Sequence, residues 1–405
     1  MDIYDIVIIG GGISGLYTGY NILKHSPNKS LLVLEKGTKR WIGGRAGNDK
    51  FYGSRVVTGA GIGRKDKNPL LIQLLKDLSI KFYEFNVSIK YAPTIKEPVD
   101  MNKVVGLLKK HFTVDSNYLT FKQFASKILG SSTYKQFVIS SGYSDYEKAD
   151  IYETLYNYGM DDNKSGWVGL SIPWKILVMA LCDKIGWSNI KCSTNVIKIL
   201  SSNDLYEVHT ESGKKFYAKE VVIATTINQM YKLIPGANVK SSPYQEICSQ
   251  PFIRLYGKFD KESTQIIKQL VPTYTVVPGP LQKIIPINQE KGIYMLAYSD
   301  NANALELENL ITNTERNRKI LQKLIKTALS IDEDLKLIAI KGYFWSEGTH
   351  YYKPLDTRYK TRKTFLKYIQ NPHKGLYVVG EAVSRYQGWV EGGLQSVHTI
   401  LHKLK

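Results

Sequence analysis

The sequence predicts two interleaved domains: an α/β, dinucleotide-binding domain on parallel strands and a mixed α+β domain. Three observations predict this. A buried apolar run from Tyr4 ends in a glycine turn and gives way to helical periodicity. A second apolar run closes on Glu35, twenty positions after Gly15. No internal repeat or low-complexity linker divides the 405 residues, a length that by itself suggests two to three domains at roughly 150 residues each. The domains are therefore expected to alternate along the chain.

Residues 4–10, YDIVIIG, have the pattern of a buried parallel strand. From Gly12 the period changes, and Ile13, Leu16, Tyr17, Tyr20 and Leu23 share one helical face. Leu31–Glu35 is a second buried strand, which completes a strand–turn–helix–strand unit of about 30 residues. Asn68-Pro69 predicts a capped helix start, with Leu71, Leu74, Leu75 and Leu78 as its buried stripe. Residues 100–186 read as mainly helical: Val104, Val105, Leu107 and Leu108 mark one segment. Thr120 caps a second with Phe121, Phe124 and Ile128, and Pro173 opens a third with Ile176, Leu177, Ala180 and Leu181. Residues 190–224 switch to short strands separated by a Ser-Ser-Asn-Asp turn at 201–204 and a Ser-Gly turn, ending in the buried run Val221–Ala224. Strands continue over 252–299. A helix spans 308–329 with Ile311, Ile320, Leu324, Ile325 and Ala328, strands follow at 335–345 and 376–380, and a last helix starts near 391. The expected division is 1–85, 187–250 and 360–405 for the dinucleotide-binding domain, and 86–186 and 251–359 for the substrate domain.

Composition narrows the classes. Hydrophobic residues at 43% and charged residues at 22% are the balance of a folded globular protein. The cysteines Cys182, Cys192 and Cys248 are odd in number and lack metal-type spacing, which excludes a disulfide framework and a zinc ribbon and fits a reducing compartment. No metal site is expected. The longest apolar runs are strand-length, so no membrane span is expected. A strand pattern by Tyr4 leaves no room for a signal peptide, and the expected location is cytoplasmic and soluble. The net charge of +19 admits anionic partners, nucleic acid included. Lys, Asn, Ile and Tyr are abundant together, however, as skewed codon usage would produce, and the charge is spread without an arginine-rich tail; nucleic acid is not the favoured partner. The basic stretch Lys353, Arg358, Lys360, Arg362, Lys363, Lys367 and Lys374, against the single acid Asp356, reads as a solvated helix connecting the domains.

Gly10, Gly12 and Gly15 form G-x-G-x-x-G between strand and helix. The first glycine allows the tight turn, the second lets the backbone approach a pyrophosphate, and the third lets helix pack on strand. The helix N-terminus, with Ser14 in its first turn, offers unpaired N–H groups and positive dipole to phosphates. Glu35 stands where a carboxylate accepts hydrogen bonds from ribose hydroxyls, with Lys36 beside it; an acid there argues against NADP.

Arg40-Trp41-Ile42-Gly43-Gly44-Arg45 follows Glu35 closely. With it the chain resembles the flavin-containing amine oxidase family, in which a glutamate, an arginine, a Gly-Gly pair and a second arginine embrace the adenosine ribose and the diphosphate of FAD. One extra residue lies between Glu35 and Arg40 and another within the arginine–glycine run. Guanidinium groups suit the task, because they give forked hydrogen bonds to phosphate. Gly59-Ala60-Gly61-Ile62-Gly63 resembles the family's turn beneath the flavin ring. Gly375–Ala382 (GLYVVGEA) runs into Gly388-Trp389-Val390-Glu391-Gly392-Gly393, similar to the strand, Gly-Glu and helix start that close the family's flavin site. The resemblance implies that Gly380 and Glu381 meet the ribityl chain, that the Val390 N–H faces the flavin O2, and that Val196 holds the adenine through its backbone. It also implies a glutathione-reductase-type, Rossmann-like FAD domain.

In amine oxidases of this kind two aromatic rings flank the amine. Trp389 matches one and Tyr351 the other. Aromatic faces guide an amine and exclude water. Members with covalent flavin carry a cysteine where this chain has His350, so FAD is expected to be noncovalent; a histidyl bond is the less favoured chemistry. Many members place a lysine on an early strand of the substrate domain to hold a water near flavin N5. Here Pro251–Tyr256 (PFIRLY) puts Arg254 in that place. It either perturbs reoxidation or anchors an anionic substrate group, unless the strand register turns it to solvent.

The expected function is FAD-dependent oxidation of a C–N bond in a small amine or zwitterionic substrate. Hydride passes to the flavin, the imine hydrolyses, and oxygen is reduced to hydrogen peroxide. The alternatives are a related flavoprotein acting on C–C bonds, of desaturase or porphyrinogen oxidase type, a flavin-dependent sugar-nucleotide mutase, and a flavin-bearing binding protein with a basic surface. The sequence sets neither the oligomeric state nor the substrate.

Overall fold

The computed structural model describes residues 3–158, 160, 165–202 and 204–404. Among these, a seven-stranded sheet runs in the order Val196–Ser202, Leu205–Thr210, Lys215–Ile223, Ile3–Ile9, Leu31–Leu34, Ile190–Lys191, with Leu376–Val378 also paired to Lys215–Ile223. The strand Ile3–Ile9 lies parallel to both of its neighbours, and Leu376–Val378 is parallel to its own. Side chains alternate along a strand. Ile6 and Ile8 therefore enter one core with Leu16, Trp174, Leu177 and Leu394, while Val7 and Ile9 enter another with Ile227, Met230 and Phe365. Burial on both faces is why this strand reads as an unbroken apolar run. The Ser-Ser-Asn-Asp turn joins the first two strands of that order, and its Asn203 lies outside the described residues.

A second sheet of six strands has the order Leu337–Tyr352, Ile247–Phe259, Ile293–Asp300, Lys283–Asn288, Tyr274–Val276, Ile89–Tyr91. One face packs Ile253 and Leu255 against the helices Lys261–Leu270, Asn301–Leu307 and Glu315–Leu329. The other turns Tyr256, Met295 and Tyr343 toward Phe51 and Val56. Helices Met101–His111, Phe121–Leu129 and Ser131–Ser141 form a small unit with its own aromatic core of Phe121, Phe124, Phe137 and Tyr146. The expected cap at Thr120 is present: its side chain accepts from the Gln123 N–H, and Gln123 returns the bond.

Several elements differ from expectation, some through tertiary packing and some through local helix caps. The stretch 100–186 contains a strand, Val168–Ser171, paired with Gly63–Arg64 and Tyr83–Asn86. The helix Trp174–Ile185 packs on Ile13–His25 in the first domain's core, upstream of the boundary expected at 187. The strand Ile247–Phe259 crosses the boundary expected at 250. The stretch 252–299 holds the helix Lys261–Leu270, capped by Asp260. The helix expected from 308 starts at Glu315, where Thr314 accepts from the Asn317 N–H. In the basic stretch, Arg362 is buried beside Asp150, Glu153 and Glu246, so the helix Arg362–Ile369 has a charged anchor rather than a fully solvated face.

Candidate functional site

The C-terminal ends of the parallel strands meet the second sheet around a cavity of about 810 Å3. Ile9, Leu34, Ala224 and Gly380 line it where four parallel strands end, the position at which open α/β sheets bind ligands.

The glycine turn forms one part of the wall. Gly10 has φ +108°, and a Cβ there would stand 2.5 Å from the Ala224 carbonyl oxygen. Gly12, at the N-terminus of the helix Ile13–His25, has open space where a Cβ would project, so a ligand can reach its backbone. Gly15 does not line the cavity; its Cβ would collide with the Gly10 carbonyl, so it serves close packing as a third glycine should. This helix has no side-chain cap and no acid in its first turn, and Ser14 lines the cavity there. The last helix, Val390–Ile400, also begins without a side-chain cap, at Val390 on the same cavity. Two sets of unpaired N–H donors thus open on one space.

Glu35 lines the cavity, with its carboxylate oxygens accepting from the Gly11 and Gly37 N–H groups at 2.7 and 2.6 Å. Lys36, Gly44, Gly61, Ile62 and Val196 line it too. The Val196 carbonyl accepts from Gln229, itself on the wall. Arg40 does not reach the cavity. It is exposed, stacks by Trp41, and its Nη2 stands 3.9 Å from Asp49. Two residues more than the pattern expects separate Glu35 from Arg45, and the longer loop carries Arg40 outward.

Arg45 turns its Nη1 to Glu381, at 2.8 Å, and to the Gly348 carbonyl, at 2.7 Å. Glu381 also takes the Gly388 N–H and His350 Nδ1. His350 Nε2 accepts from the Ile227 N–H, so Nδ1 carries the ring proton. Burial pushes the Glu381 carboxyl up, but the His350 ring and the Arg45 guanidinium outweigh it and hold the group well below the usual carboxylate range. His350 is buried with both nitrogens engaged and does not line the main cavity.

Among the aromatic residues, Trp389 lines the cavity, and Arg64 stacks on its ring at 3.9 Å. Tyr351 does not reach it. Strand alternation places Tyr351 beside Cys248, on a separate small pocket with Tyr158 and Arg385. The aromatic wall near Arg254 is instead Tyr298, with Tyr143 edge-on to it at 6.1 Å. A Cβ on Gly61 would stand 3.4 Å from the Tyr298 hydroxyl, so this ring adjoins the glycine turn 59–63. No spacing rule singles out Tyr298. The signal lies in register, because it pairs with Arg254 across adjacent strands. Arg254 is buried and lines the cavity, which disposes of the solvent-facing alternative. Lys283, from a third strand, lies over the Tyr143 ring at 3.0 Å. No helix among the described residues is long and apolar enough to cross a membrane.

Residues 108–397 match the family described as flavin containing amine oxidoreductase, and residues 8–78 match a NAD(P)-binding Rossmann-like domain. The uncharacterized protein R188 of Acanthamoeba polyphaga mimivirus is 22% identical over 496 residues, covering 98% of this chain and 93% of that protein. Among solved structures, wild-type putrescine oxidase bound to putrescine superposes with a TM-score of 0.74 at 12% identity, covering 100% of this chain and 99% of that one. Cyclohexylamine oxidase from Brevibacterium oxydans IH-35A gives 0.73 at 14% identity, with 100% and 99% covered. At these identities the solved structures establish a shared fold.

Proposed function

This chain belongs to the flavin containing amine oxidoreductase family, and from that premise we propose that it is a noncovalent FAD enzyme oxidising the C–N bond of a small amine. One observation carries the reading: the glycine turn with Glu35, two uncapped helix N-termini and the Arg45–Glu381 pair open on the same cavity as Trp389.

The residues present fit the dinucleotide. The open backbone at Gly12 and the N–H groups of the helix Ile13–His25 would hold the diphosphate. Glu35 would take the ribose hydroxyls, and Val196 would lie against the adenine. Gly380, Glu381, Gly61 and Ile62 would line the flavin half, with the Val390 N–H offering positive dipole to the ring's O2 edge. FAD, when bound, supplies a two-electron acceptor for the substrate carbon.

The chain's own residues do the rest. Trp389 and Tyr298, each with a guanidinium stacked on its ring, line the cavity with aromatic surface that would position a substrate and exclude water. An amine must be neutral to lose hydride, and an apolar surround lowers its pKa toward that state. The substrate loses a hydride and a proton to become an imine, which water hydrolyses to carbonyl and ammonia or amine. Oxygen, taking two electrons and two protons, leaves as hydrogen peroxide. Arg45 and His350 hold Glu381 ionised, so its charge does not change with pH in the neutral range.

The test is an amine panel with peroxide detection, followed by anaerobic mixing of reactive amines with the yellow protein. Bleaching of the flavin by at least one amine supports the reading. Bleaching by a C–C substrate and by no amine replaces it with the desaturase or porphyrinogen oxidase alternative.

A further inference from the structure

Resting on the reading above, we propose that the substrate carries an anionic group, a carboxylate or a phosphate, and that Arg254 binds it within the cavity. Arg254 is 5% exposed and lines the wall. Its Nη1 donates to the adjacent Ile253 carbonyl at 3.0 Å, and its Nε is buried with no partner. It forms no ion pair among the described residues. The acids on the same wall have other partners: Glu35 the Gly11 and Gly37 N–H groups, Asp145 the Tyr158 hydroxyl, Asp300 Ser144 and Gln282, Glu347 Thr226 and Asn228, Glu381 Arg45 and His350. A guanidinium does not escape burial by losing its proton, and an unpaired buried charge is strongly unfavourable. The site is therefore built to receive a negative group.

The surroundings orient that group. Arg254 stacks against Tyr298 at 3.6 Å and Phe252 at 4.1 Å. Rings on its faces leave the in-plane N–H edge as the direction for a ligand, and a forked edge matches a carboxylate or phosphate. Lys283, 4% exposed, adds a second cation 5.7 Å from the Tyr298 ring. The charge of Lys283 is set against the buried Asp300 carboxylate, so Arg254 is the cation left for a ligand. The mono-amine with a distal anion is the class that satisfies both halves of the cavity.

The experiment titrates the flavin-loaded protein with benzoate, phenyl phosphate, the neutral isostere benzamide and the cation benzylamine, reading the flavin absorbance shift. Benzoate or phenyl phosphate is expected to bind at least tenfold tighter than benzamide. Arg254→Met should weaken that anion at least tenfold while leaving benzamide unchanged, and Arg254→Lys should fall between. The tighter of the two anions identifies the group. Anions that bind no better than benzamide overturn the proposal. So does an Arg254→Met or Arg254→Lys protein that keeps flavin and anion affinity and changes only reoxidation by oxygen. If the purified protein holds no flavin, the function reading fails first; equilibrium dialysis of benzoate against that protein and Arg254→Lys then tests the anion site alone, and unchanged dialysis binding overturns it.

Discussion

Arg45 Nη1 donates to Glu381 Oε1 at 2.8 Å, across 336 positions of the chain. The bond ties the loop after the second strand to the turn after the last one, and His350 completes it from the second domain. Three segments far apart in sequence thus converge on one carboxylate.

That convergence predicts a pH dependence. The folded Glu381 carboxyl lies below its ordinary value of 4.5. Its stabilising contribution is fully present above that value and is lost as pH falls through the lowered folded pKa. Glu381→Gln should destabilise the protein by about 3 kcal/mol at pH 7, the lower end for one broken buried pair since Arg45 keeps some solvent. Thermal melts of wild type should fall steeply below about pH 4.5, the ordinary carboxyl range, and the variant's should fall less. Parallel curves would show that Glu381 is not a linked group.

Noncovalent FAD is expected because His350 has both ring nitrogens engaged, one by Glu381 and the other by the Ile227 N–H. Acid precipitation should leave all flavin in the supernatant. Flavin in the pellet contradicts this, and NAD in place of FAD contradicts the cofactor assignment as a whole.

Trp389 lines the cavity with Arg64 stacked on its ring. Trp389→Ala should keep the yellow colour and lose roughly 100-fold in turnover, the scale of a positioning loss. Trp389→Phe, which keeps an apolar face, should lose less. A colourless Trp389→Ala, or one with normal turnover, would place the residue outside the reacting face.

Glu391 accepts from the Leu70 and Leu71 N–H groups at 3.1 Å each, capping the helix Pro69–Asp77 from the last helix. Asn68, expected to cap that helix, instead accepts from the Arg64 N–H. Burial raises the Glu391 carboxyl, so its ionisation opposes folding as pH rises through the raised value. Glu391→Ala should cost about 1 kcal/mol, the usual loss of a cap. Glu391→Gln keeps an acceptor without the buried charge and should melt near wild type at pH 7. Equal losses in both variants would mean that the charge, not the acceptor, matters.

The parallel strand core and the glycine turn were legible because both depend on neighbours in sequence. A strand buried on both faces must be apolar throughout, and Gly10 is required by its own φ of +108°. Glu35 stands out by its spacing from Gly15, Glu381 and Trp389 by the resemblance of their motifs to the family's, and all three line the cavity. Arg40 was misplaced because loop length, not residue type, sets how far a side chain reaches.

The sequence by itself determined the dinucleotide half of the site, since a turn, a helix N-terminus and a carboxylate within 35 residues fix one another locally. Only the tertiary structure decided the substrate half. The family resemblance points to Tyr351, but side chains alternate on a strand, and the register that pairs Arg254 with Tyr298 brings Tyr298 to the cavity instead. Whether Arg254 is paired depends on acids as distant in sequence as Glu381, and a charge is satisfied or left open by proximity in space, which no local pattern encodes.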